Sequence, residues 1–175
     1  MNFRFFNLVV IAALFSTVGF TVIFARAASA NSDISCVNSD CLRFGWTTTD
    51  LKSGLQLQVQ CKQNDCDKNG WTVIFQGKHA EDAVCKTNGC FEDGWRSYNL
   101  KKGSLMADVS CLNSFAPSNC LSVGWIIAVP GQESVTYRCV DGDCRNIGWD
   151  VVYPAQPVAR CKPKGCFVSG WTAYH

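Results

Sequence analysis

Histidine is almost missing from this chain: it occurs twice in 175 residues, as His79 and His175. His79 lies in a polar turn and His175 is the last residue, so neither begins a catalytic or metal-binding motif. No H-E-x-x-H, no G-x-S-x-G and no D-x-D-x-D-G calcium loop is present. No C-x-x-C occurs either, which removes the usual redox and zinc-knuckle spacings. These gaps argue against an enzyme and against any cofactor or metal. Acidic pairs at Asp65 and Asp67, Asp141 and Asp143, and Glu92 and Asp93 read as solvated turns, not calcium ligands.

A surplus of positive charge is also lacking. The formal net charge is +2, and two of the sixteen basic residues, Arg4 and Arg26, fall in the first thirty residues. Beyond them fourteen bases face fourteen acids. Nucleic-acid binding needs a basic stripe to neutralise phosphates, and Lys101-Lys102 is the lone adjacent basic pair. No Asn-x-Ser/Thr sequon offers a site for N-glycosylation.

One long apolar run is present, from Leu8 to Ala25, and it ends near Ala28-Ser29-Ala30. A single preceding charge and an A-x-A end are the marks of a signal peptide over residues 1–30, with a mature chain opening at Asn31. A retained anchor is the alternative, since eighteen apolar residues approach bilayer-spanning length. Secretion to an extracellular, periplasmic or cell-surface location is expected, with no membrane association after cleavage.

What the chain has in quantity is cysteine and tryptophan, and both are confined to one phrase, C-x4-C-x3-G-W. The six copies are Cys36–Trp46, Cys61–Trp71, Cys85–Trp95, Cys111–Trp125, Cys139–Trp149 and Cys161–Trp171. All twelve cysteines and all six tryptophans belong to them. A fixed period of this kind marks stacked supersecondary units.

Each unit reads as two strands. Leu55, Leu57, Val59 and Cys61 alternate with glutamines, as Leu105, Ala107, Val109 and Cys111 alternate with polar residues. Period-two alternation marks a half-buried antiparallel strand. After each Trp comes a second β-rich run, such as Trp71–Phe75, and then a glycine or proline turn. Within the Cys-to-Cys loops, Thr87-Asn88-Gly89 and Pro163-Lys164-Gly165 predict type I turns closed by a residue of positive φ. The glycine before each Trp is expected to leave room for the indole.

Copies one and four, two and five, and three and six resemble each other, at offsets of 75 to 79 residues. The chain is therefore two pseudo-equivalent three-repeat halves, residues 31–110 and 111–175. A β-trefoil would make alternate copies alike, and this sequence does not. The absence of a linker near residue 110 predicts contact between the halves.

An even cysteine count in a secreted chain implies disulfides. The fourth copy encloses eight residues between Cys111 and Cys120 instead of four, which a hairpin staple tolerates and a metal knuckle does not. The expected pairs are Cys36–Cys41, Cys61–Cys66, Cys85–Cys90, Cys111–Cys120, Cys139–Cys144 and Cys161–Cys166. Trp46, Trp71, Trp95, Trp125, Trp149 and Trp171 are expected to form the core, and the aromatics outside the framework, Tyr98, Tyr174 and Phe115, are the candidate ligand-binding residues. The leading function is non-catalytic binding, a lectin-like recognition of carbohydrate or of a cell-surface partner. The alternatives are a self-assembling envelope or matrix protein, and a secreted inhibitor or toxin-like ligand whose tip is Phe115-Ala116-Pro117.

Overall fold

The computed structural model describes residues 32–112, 119–152 and 156–174. Twelve strands follow the alternation: β1 (Ser32–Cys36), β2 (Trp46–Asp50), β3 (Gln56–Cys61), β4 (Trp71–Phe75), β5 (Lys78–Cys85), β6 (Trp95–Asn99), β7 (Leu105–Cys111), β8 (Gly124–Ala128), β9 (Val135–Cys139), β10 (Gly148–Val151), β11 (Gln156–Cys161) and β12 (Trp171–Ala173). Each pairs antiparallel with its neighbours in sequence, and β1 pairs with β12 through Ser32↔Ala173 and Ile34↔Trp171. The result is one closed up-and-down barrel built from both halves of the chain. Closure leaves no strand edge unpaired.

Odd strands run toward the cysteines and even strands run away from them, so all six disulfides crowd one end of the barrel. Each bridges the two cysteines of its own copy, with Cα atoms 4.4–4.7 Å apart. No cysteine is free, which marks a protein of an oxidising, extracellular-type environment.

Between the cysteines of copies three and six, the closing glycines Gly89 and Gly165 take the expected positive φ, 154° and 97°. In copies one, two and five the chain crosses through two consecutive residues of positive φ: Asn38 and Ser39, Gln63 and Asn64, Asp141 and Gly142. That is the type I′ pattern, whose twist matches that of the flanking antiparallel chain. The second cysteine opens a single helical turn in four copies: α1 (Cys41–Phe44), α2 (Cys66–Asn69), α3 (Cys120–Val123) and α4 (Cys166–Ser169). Asp40, Asp65 and Asn119 cap the first three by accepting from Arg43 N–H, Lys68 N–H and Leu121 N–H at 2.9–3.0 Å. Asp143 accepts from Arg145 and Asn146 N–H in the same way, and the Asn146 side-chain amide, donating at 2.8 Å, does most to hold its carboxyl below the usual range, with these N–H groups adding to it.

The repeated glycine has a different task from the one expected. Gly45, Gly70, Gly94, Gly124, Gly148 and Gly170 all take positive φ, from 74° to 123°. A Cβ on any of them would lie 2.0–2.2 Å from a carbonyl oxygen of the next copy's first strand, on Val59, Ala83, Val109, Tyr137, Ala159 and Ile34 respectively. Glycine is needed because the backbone of one copy lies directly on that of the next. The indole beside it is incidental to that contact.

Candidate functional site

A barrel of twelve strands is wider than the eight-stranded size that ordinary side chains fill. Here the largest side chain fills it. The six indoles form one layer across the disulfide end, each 1–4% exposed. Neighbouring rings meet at 5.8 Å (Trp171 and Trp46), 5.9 Å (Trp46 and Trp71), 5.2 Å (Trp71 and Trp95), 5.3 Å (Trp125 and Trp149) and 5.5 Å (Trp149 and Trp171), tilted by 54–64°. Edge-to-face packing of this kind adds to area burial. The buried Nε1–H groups of Trp46, Trp71 and Trp149 meet no oxygen or nitrogen acceptor among the described residues.

Phe91 and Phe167 follow the second cysteines of copies three and six and are related by the internal duplication. They meet at 5.6 Å, and Phe91 also lies 6.0–6.3 Å from Trp71 and Trp95. With Leu121 they close the barrel mouth over the indoles, leaving an apolar cavity of about 30 Å³. That space is lined almost wholly by apolar side chains and offers no polar partner to water. The disulfides tighten the same mouth: the Sγ of Cys61 lies 3.3 Å from the Cys41 carbonyl, Cys85 3.0 Å from Asp67, Cys111 3.0 Å from Glu92, Cys139 3.4 Å from Cys120 and Cys36 3.4 Å from Cys166. A disulfide sulfur carries no hydrogen, so these are packing contacts.

On the outer wall, Lys62, Lys86 and Lys162 each follow a first cysteine and reach across one strand to an aspartate of the next copy. The pairs are Lys62–Asp82 at 2.7 Å, Lys86–Asp108 at 2.5 Å and Lys162–Asp33 at 2.9 Å. Arg96 adds a second contact to Asp108 at 3.0 Å. Asp108 is partly desolvated, which opposes its charge, but Lys86 and Arg96 outweigh this and hold it below the usual carboxylate range.

Past the indoles the lumen turns more polar, with Ser32, Thr48, Glu81 and Ser97 all buried. Glu81 is 1% exposed, and neither carboxylate oxygen reaches a hydrogen-bond partner among the described residues. Burial pushes its pKa up to about 7; the nearby Ser97 hydroxyl offsets part of this without attaining bonding geometry, and Asp82 adds to it. Sequence reasoning passed over Glu81. The signal was there: it shares strand parity with Ala83 and Cys85, a charged residue on the inward face.

The far end of the barrel is a rim of hairpin tips. Among the described residues, six of the nine exposed large apolar side chains sit there: Leu51 (58% exposed), Leu55, Leu100, Leu105, Val152 and Tyr174. Tyr174 follows β12, and its N–H donates to the Val158 carbonyl at 2.8 Å. Tyr98 lies half-buried on the outer face of β6, opposite Asp82 and Leu105, with Arg96 on the same face. Their strands lie well apart around the barrel, so the two tyrosines do not form one site. Phe115 and the insertion tip lie outside the described residues. The acidic pairs are spoken for locally: Asp65 and Asp143 cap turns, Asp67 accepts from Phe91 N–H at 2.9 Å, and Asp93 from Asn88 N–H at 2.7 Å. No cluster of three metal-ligating side chains occurs among the described residues.

No family, no curated protein and no solved structure matches this chain.

Proposed function

We propose that this is a secreted, non-catalytic binding protein that recognises carbohydrate or a cell-surface partner through the rim of its barrel. One observation carries this reading: the framework aromatics are consumed by the core, while most of the exposed apolar side chains among the described residues gather on the tips at one end. Loops held at the mouth of a rigid scaffold are a common place for recognition. The signal-like start and six disulfides support secretion. The outer wall, with Gln58, Gln60, Thr72, Arg96 and Asp108, is polar where a lipid-facing barrel wall is apolar.

A glycan array probed with the mature protein tests the carbohydrate version, with Leu51→Ala, Tyr98→Ala and Tyr174→Ala as probes of the surface. Binding that drops at least tenfold in the rim variants is expected. An array with no bound glycan removes the sugar, and binding unchanged by Leu51→Ala and Tyr174→Ala removes the rim. The same exposed leucines favour a second reading, self-assembly through the rim, which a strict monomer in sedimentation at high concentration would eliminate.

A further inference from the structure

The rim is chemically uneven. Its first arc, made by the β2–β3, β4–β5 and β6–β7 tips, carries Leu51, Lys52, Leu55, Lys78, Leu100, Lys101, Lys102 and Leu105, all exposed. The opposite arc, between β8 and β9, carries Pro130, Gly131, Gln132 and Glu133 and no lysine. Leucines flanked by lysines are the composition of a surface that meets anionic headgroups.

The two leucine tips are also built alike. In the first, Gly54 N–H donates to the Asp50 carbonyl at 2.8 Å, Asp50 N–H to Leu55 at 2.9 Å, and Ser53 N–H to Asp50 Oδ1 at 2.6 Å. In the second, Gly103 N–H donates to Asn99 at 2.7 Å, Asn99 N–H to Ser104 at 2.9 Å, and Lys102 N–H to Asn99 Oδ1 at 3.0 Å. Each turn thus satisfies much of its own backbone. That matters, because a loop can leave water for an apolar layer only if its amides and carbonyls keep partners. The Gly54 and Gly103 turns place Leu51 and Leu100 outward, 58% and 46% exposed. With strands about 4.8 Å apart, the two tips lie roughly 19 Å from each other along the rim. β1 starts at this end of the barrel.

We propose that this arc docks on an anionic lipid surface, with Leu51, Leu55, Leu100 and Leu105 entering the headgroup layer and Lys52, Lys78, Lys101 and Lys102 pairing with lipid phosphates. The inference rests on the reading of the rim as the recognition surface and names its partner.

Vesicle flotation with the mature protein tests it, using phosphatidylcholine alone and phosphatidylcholine mixed with phosphatidylglycerol. The wild-type protein binds the mixed vesicles, binds the neutral ones far less, and is released by salt. Lys52→Gln with Lys102→Gln lowers binding about 25-fold, roughly fivefold per lysine. Leu51→Ser with Leu100→Ser lowers it about tenfold. The wall variant Gln58→Glu with Gln60→Glu makes the same change in net charge and stays within about twofold of wild type. Near-ultraviolet circular dichroism confirms that each variant is folded. The inference is overturned if mixed vesicles are not bound, if neutral vesicles bind equally, or if the wall variant loses as much as the rim variant. If vesicles fail while rim variants still lose an array ligand, the lipid assignment falls and the rim stands. If rim variants bind everything as wild type does, both fall.

Discussion

At the residue scale, two kinds of glycine look identical in sequence and differ in what surrounds them. Gly94 takes a φ of 100° with the Val109 carbonyl 2.0 Å from where a Cβ would sit, whereas Gly77 takes 73° with nothing within 4 Å. Gly77→Ala should cost about 1 kcal/mol, the penalty of the left-handed region alone. Gly94→Ala must also push two strands apart and should cost about 3 kcal/mol or more. Chemical denaturation of the pair measures the difference, and equal losses would refute the close approach. Glu81 supplies a second test. Its folded pKa of about 7 lies above the ordinary 4.5, so the folded state holds its proton more tightly. Its stability is therefore full below about pH 4.5 and lost as pH rises through about 7, by about 3 kcal/mol in all. Glu81→Gln should flatten that decline and be more stable than wild type at pH 8; denaturant melts at pH 5 and pH 8 decide it.

At the scale of elements, each copy is a hairpin stapled across its base. A loop of this length stabilises by about 2 kcal/mol through chain entropy. Replacing Cys139 and Cys144 together by alanine should cost about that much and leave the barrel folded, as read by the thermal midpoint and near-ultraviolet spectrum. The hairpins and their staples were legible because period-two alternation and the four-residue insertion between Cys111 and Cys120 are local signals. The role of the repeated glycine was not. Its reason lies on Val59 or Val109, in the following copy, and no spacing within one copy reveals it. Glu81 escaped for a related reason: a bulge at Ala80 interrupts the register against β4, and its charge disguises an inward position.

At the scale of the molecule, the pairing of copies three and six became physical contact. Phe91 and Phe167, alike in sequence as members of C-K-x-x-G-C-F, meet across the mouth. The rim could not be read in advance, because Leu51 and Leu100 sit in turns without periodicity and share a face only once the barrel closes. Closure also makes the halves interdependent. A fragment of residues 31–110 would expose the inward faces of its strands and two raw edges. It should give a dispersed tryptophan emission shifted toward that of the unfolded chain, and a compact native-like spectrum would contradict this.

The seam between β1 and β12 is held by devices found at other junctions. Gly170 lies on the Ile34 carbonyl as its counterpart in every copy lies on a carbonyl of the next, and Lys162 reaches Asp33 as Lys62 reaches Asp82 and Lys86 reaches Asp108. The barrel therefore has no privileged starting point. A circular permutant that links Tyr174 to Ser32 and opens the chain between Gln76 and Gly77 should rebuild the same ring, its six tryptophans returned to one layer.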